Sequence, residues 1–175
     1  MLGPHDLVLC SGTLRHASLR AKVEAAAAAR FAGVSLWLED VDGARASGLS
    51  SADVRALLAD HGLAVAELDP LLSWLGSGSL GDDAAPGADA MLGRSEEEFF
   101  AVAAAIGGTV INCPHPFPGA VDVDRAAEAF AALCERAAEH GLGCAIEFLP
   151  WTGIPDAATA AEIARRAGSA NGGIM

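Results

Sequence analysis

The sharpest chemical signal lies near residue 147, where Leu142, Cys144 and Ile146 alternate with Gly143, Ala145 and Glu147. Side chains on a strand point to opposite faces with period two. The bulky set suits a face covered by helices, and the small set then faces a narrow interior with Glu147 at its mouth. A carboxylate beside apolar strand residues is costly unless it is paired or bound to a cation. It is therefore read as a metal ligand or a proton-transfer base, with a salt bridge to an arginine across the mouth as the alternative. Glu67 and Asp69 share one face of another short apolar run, together with Leu63 and Val65. That leaves open whether the two carboxylates face ligand or helices, and rim carboxylates capping the next loop would look the same. His115 lies between Pro114 and Pro116 on a loop, as a ligand, an acid or a solvated residue. Trp37, Trp74 and Trp151 could wall a ring-shaped ligand or pack in the core.

These residues are placed by a regular alternation of elements. Asp6 to Cys10, Val34 to Leu38, Leu63 to Leu68, Thr109 to Cys113 and Leu142 to Phe148 read as short buried strands. Helical segments are expected at Leu19 to Ala32 behind a Ser18 cap and at Ala52 to Asp60 behind Ser50 or Ser51. A third begins at the Ser95/Glu98 capping box and runs to Ile106. Two more are expected over Val123 to Glu139 behind Asp122 and from Pro155-Asp156 to Gly168. Residues 172 to 175 open a sixth strand. Strands alternating with helices imply a parallel α/β sheet, whose ligands meet the C-terminal strand ends. Asp60-His61-Gly62-Leu63 and Glu139-His140-Gly141-Leu142 read as one helix-to-strand turn used twice. Residues 71–94, rich in Gly, Ser and Asp, read as a long flexible loop or a lid.

Composition excludes several partners. The net charge of −12, with 23 acidic residues against 11 basic, opposes nucleic-acid backbones and anionic membranes. One small phosphorylated ligand remains compatible, because a few N–H groups and one arginine can hold it. No uncharged run approaches the roughly 20 residues of a membrane span. Four cysteines without a C-x-x-C pair, and no visible signal peptide, are read as reduced thiols of a cytoplasmic protein. Nucleotide-loop, zincin and serine-hydrolase motifs are absent.

The stretches Gly33-Val34-Ser35-Leu36-Trp37-Leu38-Glu39, His140 to Pro150 and Asn171 to Met175 resemble strands two, five and six of the sugar phosphate isomerase/epimerase family. These are xylose isomerase-like TIM barrels, a superfamily that includes an endonuclease branch. The resemblance implies a (β/α)8 barrel, present here as about five βα units plus the start of strand six in a single domain, 1–175. It implies isomerase or epimerase chemistry on a sugar, sugar phosphate or sugar-like substrate, by metal-assisted proton transfer next to a carbonyl. It also implies a divalent metal (Mn, Mg, Co or Zn) in a complete form. Glu147 matches the strand-five ligand, and the ligands expected on strands six to eight have no match. Glu67, His115 and Trp151 are then candidates for substrate contact. The alternative expectation is an inactive fragment or binding subunit, completed by self-association or a partner chain at an open barrel edge.

Overall fold

The computed structural model describes residues 2–76 and 91–175. Its strands are β1 (Val8–Leu9), β2 (Gly33–Trp37), β3 (Ala64–Asp69), β4 (Val110–Asn112), β5 (Gly143–Ile146) and β6 (Gly172–Ile174). The helices used below are α1 (Leu19–Ala28), α2 (Leu38–Ala46), α3 (Ser51–Asp60), α4 (Glu96–Ile106), α5 (Val123–Glu139) and α6 (Ala157–Ala167). The strands form one sheet in the order β1-β2-β3-β4-β5-β6, with parallel pairing. Strands in direct chain order, without reversal, make a TIM-type α/β barrel array and not a doubly wound sheet. Six of its strands are present. The chain divides into two compact units, one of residues 1–69 and 101–110 and one of residues 70–100 and 111–175.

The first unit contains β1 to β3. Ser18 caps α1 by accepting the Ala21 N–H at 3.3 Å. The helix stops at Ala28, short of the expected Ala32, and Arg30 takes a positive φ of 62°. Helix α2 follows β2 directly, where the sequence suggested only the strand's end. Leu38, Val41 and Ala44 give it a buried face at helical spacing, which outweighs the propensity cost of Gly43. Ser50 and Asp53 form a reciprocal capping box on α3. A bulge separates the β2 and β3 registers: Val34 pairs with Val65, but Leu36 pairs with Leu68. Ala66 and Glu67 thus stand opposite Ser35 alone.

The second unit is built around α5. Ala126, Ala127, Phe130, Leu133, Cys134 and Ala137 form its buried stripe. Phe130 is wholly buried and meets the Trp74 ring edge-on at 5.7 Å. Burying such a ring contributes roughly 1.5–3 kcal/mol. Asp122 caps α5 by accepting the Asp124 and Arg125 N–H groups. Ser95 and Glu98 make the expected capping box, Ser95 N–H to Glu98 Oε2 at 2.9 Å. The Ser- and Gly-rich stretch at 77–90 lies outside the described residues. The flank before it is packed, with Leu71, Leu72 and Trp74 buried and the Trp74 indole donating to the Pro114 carbonyl at 3.0 Å.

The repeated helix-to-strand turn is the same structure twice. His61 and His140 end their helices, and Gly62 and Gly141 take φ of 67° and 70°. Leu63 and Leu142 then donate back to Leu58 and Ala137 at 2.9 and 3.0 Å. Only glycine adopts that backbone without strain.

Gly153 has a different duty. It is buried, and its N–H donates to the Phe117 carbonyl at 2.9 Å. A Cβ there would overlap the Gly119 carbonyl oxygen and stand 2.7 Å from Val121 Cγ1. Gly153→Ala is expected to destabilise the protein by about 1–3 kcal/mol. Urea denaturation checks this, and an unchanged midpoint would contradict the packing described.

Candidate functional site

In the second unit, β5 and β4 present their small and polar residues on one face. Cys144 meets Cys134 of α5 on one side and Cys113 on the other. These contacts and burial raise the Cys134 and Cys144 thiols well above the ordinary range, so both stay protonated. Cys113, Cys134 and Cys144 are buried and free. They mark the helix-covered face, so by alternation Gly143, Ala145 and Glu147 lie on the other. Asn112 Nδ2 donates to Glu147 Oε2 at 2.8 Å, so these two polar side chains lie together. Glu147 is half-buried, just past the end of β5. Among the described residues it makes no ion pair with an arginine, which removes the salt-bridge alternative there. A carboxylate held through one oxygen by a neutral amide is oriented and keeps its second oxygen for another partner.

His115 is buried, 9% exposed, and its Nδ1 has no hydrogen-bond partner. Its ring meets Phe117 edge-on at 5.3 Å. Burial lowers its pKa below the ordinary 6.5, so the ring is neutral at pH 7. The unfolded chain therefore takes up this proton first as pH drops below about 6.5. Stability from this group is complete above that pH, declines as pH falls and levels off below the folded-state value. His115→Gln is expected to flatten this decline. Urea midpoints at about pH 7.5 and 5.5 for both proteins test it, and equal slopes would contradict it. Trp151 lies at the tip of a turn closed by Leu149 N–H to the Ile154 carbonyl at 2.9 Å and by Thr152 Oγ1 to the Leu149 carbonyl at 2.9 Å. The turn leaves the indole 72% exposed.

In the first unit, the β3 bulge decides what alternation alone left open. Leu68 pairs with Leu36 and both are wholly buried. Val65 also faces α4 residues, lying 3.6 Å from where a Cβ on Gly108 would stand, beside Ala103. The extra residue therefore puts Val65 and Leu68 on the helix side and Glu67 and Asp69 together on the other. This corrects the expectation that Leu63 and Val65 share their face. Asp69 accepts the Trp37 indole N–H at 2.9 Å. Glu39 is exposed in the first turn of α2.

Beside these lies a network that the candidate residues did not include. Lys22, 2% exposed, places Nζ 2.6 Å from Asp40 Oδ1 and donates to Ser11 Oγ at 2.6 Å. Ser11 Oγ–H donates to Asp40 Oδ2, which also accepts the Trp37 backbone N–H at 3.0 Å. The Arg15 guanidinium sits 5.6 Å from the centre of the Trp37 ring. One sequence signal could have found it: the only lysine takes the i+3 place in the stripe Leu19, Val23, Ala26.

One sheet of parallel strands in chain order, alternating with helices, defines a protein of the α/β-barrel class. The chain belongs to the xylose isomerase-like TIM barrel family, whose model matches residues 23–175. Similar solved structures include a xylose isomerase domain containing protein from Salmonella typhimurium LT2, at 16% identity and TM-score 0.76, covering 99% of this chain and 61% of that one. The IOLI protein with a bound zinc atom is similar at 14% identity and TM-score 0.77, covering 97% and 61%. A D-psicose 3-epimerase solved in the presence of D-fructose is similar at 16% identity and TM-score 0.66, covering 97% and 62%. The chain thus spans less than two thirds of these structures, and the likeness is one of fold. Comparison with curated proteins finds no match. Among the described residues no helix is long and apolar enough to cross a membrane.

Proposed function

We propose that the chain carries part of a sugar isomerase/epimerase-type site in which Glu147 moves a proton next to the carbonyl of a small sugar-like substrate. The observation that supports it is the half-buried Glu147 carboxylate on the face away from the helices, oriented by Asn112 at 2.8 Å. A carboxylate so placed can take the proton from a hydroxyl-bearing carbon beside a carbonyl and return it at the adjacent carbon. The electron pair of the C–H bond becomes the carbon–carbon double bond of an enediol as the carbonyl oxygen takes a proton. In the second half the neighbouring hydroxyl gives up its proton to become the new carbonyl, and the enediol pair takes the proton from Glu147 at the former carbonyl carbon. That converts an aldose to a ketose with one group for the carbon-bound proton and a water to pass the hydroxyl proton between the two oxygens, whereas epimerisation needs a second acid on the opposite face. His115 and Trp151 are proposed as substrate contacts, and reduced thiols fit a cytoplasmic setting.

The divalent metal implied by the resemblance does not fit the residues in hand. Among the described residues no three of His, Cys, Asp and Glu gather to hold an ion. One carboxylate cannot do so in a closed geometry. The steps above are therefore assigned to side chains and water alone. The test is incubation of the protein with a panel of aldoses, ketoses and their phosphates in D2O. Deuterium appearing at the carbon beside the carbonyl supports the reading, and none across the panel sinks it.

A further inference from the structure

A cavity of about 250 Å³ in the second unit is lined by Leu75, Phe117, Val121, His115, Asp122 and Arg125 among others. We propose that it binds a small molecule with an oxyanion head, a phosphate ester or a carboxylate, on a short carbon body. The inference shares His115 with the proton-transfer reading and makes no use of Glu147, which does not line the cavity.

Three observations carry it. First, the polar groups in the wall are of the right kind. Arg125 offers a forked cation suited to two oxyanion oxygens. Its Nη2 lies 3.9 Å from where a Cβ on Gly76 would stand, beside the backbone that lines the cavity. Among the described residues Arg125 forms no ion pair with a carboxylate. The one carboxylate in the wall, Asp122, is already engaged by the Asp124 and Arg125 N–H groups at 3.0 and 3.2 Å.

Second, His115 is more than nine-tenths buried with Nδ1 lacking a partner. That nitrogen is closed off within the fold, so what the ring offers a ligand is the edge that lines the cavity. Its neutral ring can donate to an anion from one nitrogen. The ring is not free to swing, since Gly153 backs its Cδ2 edge and Phe117 its face.

Third, Leu75, Phe117, Ala120 and Val121 give the remaining wall an apolar character. An inorganic ion alone would leave that wall unused, whereas a carbon body of a few atoms would cover it. The volume is small for a drug-sized ligand and suits a compact metabolite. A chain of net charge −12 would hold such an anion only at a local cationic site.

The experiment is isothermal titration of the whole chain with glycerol phosphate, glycolate, inorganic phosphate and neutral glycerol. His115 ring shifts are followed by NMR in parallel. Saturable binding of glycerol phosphate or glycolate, with His115 perturbed and glycerol inert, is the expected result, and the tighter probe identifies the head group. Arg125→Gln, at an exposed position, should keep the fold by circular dichroism and weaken binding roughly tenfold or more. Glu147→Gln should bind as the parent does, which separates this site from the proposed reaction. No saturable binding of either organic anion, equal binding of glycerol, or undiminished binding by folded Arg125→Gln would overturn the proposal.

Discussion

Replacing Lys22 by methionine lowers the free energy of unfolding by about 3–5 kcal/mol. The size follows from what is left behind. Asp40 is only 9% exposed at its side chain and Ser11 is 2% exposed. With Nζ gone, the Asp40 carboxylate loses the cation that pairs with it and stays out of water. Methionine fills most of the space, so the loss is electrostatic and not a cavity. The same network joins α1, the end of β1 and the start of α2, because Asp40 also binds the Trp37 backbone. Removing both charges, as Lys22→Met with Asp40→Leu, is expected to recover much of the loss, since no unpaired charge remains. Urea denaturation of the three proteins measures this. A loss below about 1 kcal/mol in the single variant would show that the pair is not desolvated as described.

Glu147→Gln is expected to reduce turnover by about 10²–10⁴-fold, the usual worth of a positioned acid–base group. Glutamine keeps the shape and can accept from Asn112, so the fold should hold. Its amide cannot take up a proton from carbon. Asn112→Leu should act on the same step less severely, since Glu147 keeps its charge but loses the donor that orients it. Initial rates on a substrate identified in D2O, with circular dichroism of each variant, check both. A Glu147→Gln protein with parent-like rates would place the chemistry elsewhere.

Much of this arrangement was legible before any coordinates. The apolar run from Leu142 placed β5, because a short buried strand stands out between the Gly141 turn and the prolines that follow. Asp122, Ser95 with Glu98, and the two His-Gly turns placed helix ends, since capping is a local interaction. What escaped reading was non-local. Whether Glu67 faces ligand or helix depends on a bulge defined by pairing with β2, which no local pattern in Leu63 to Asp69 reveals. Helix α2 escaped because Gly43 weakens its propensity, while its stability comes from burying Leu38, Val41 and Ala44. Lys22, Asp40 and Ser11 come together across 29 residues of chain. Only the place of Lys22 in an apolar stripe hinted at its burial. The exposure of Trp151 reflects two hydrogen bonds that close its turn, and aromatic character alone gives no sign of that.

Glu147, just past β5, is the proposed acid–base group on which proton transfer depends. Wash-in of solvent deuterium reads that proton transfer directly, without waiting for net conversion. Parent and Glu147→Gln proteins, matched in folded content, would be compared on the same sugar in D2O. The expected result is exchange at the carbon beside the carbonyl by the parent and its loss in the variant. Equal exchange by both would contradict the assignment.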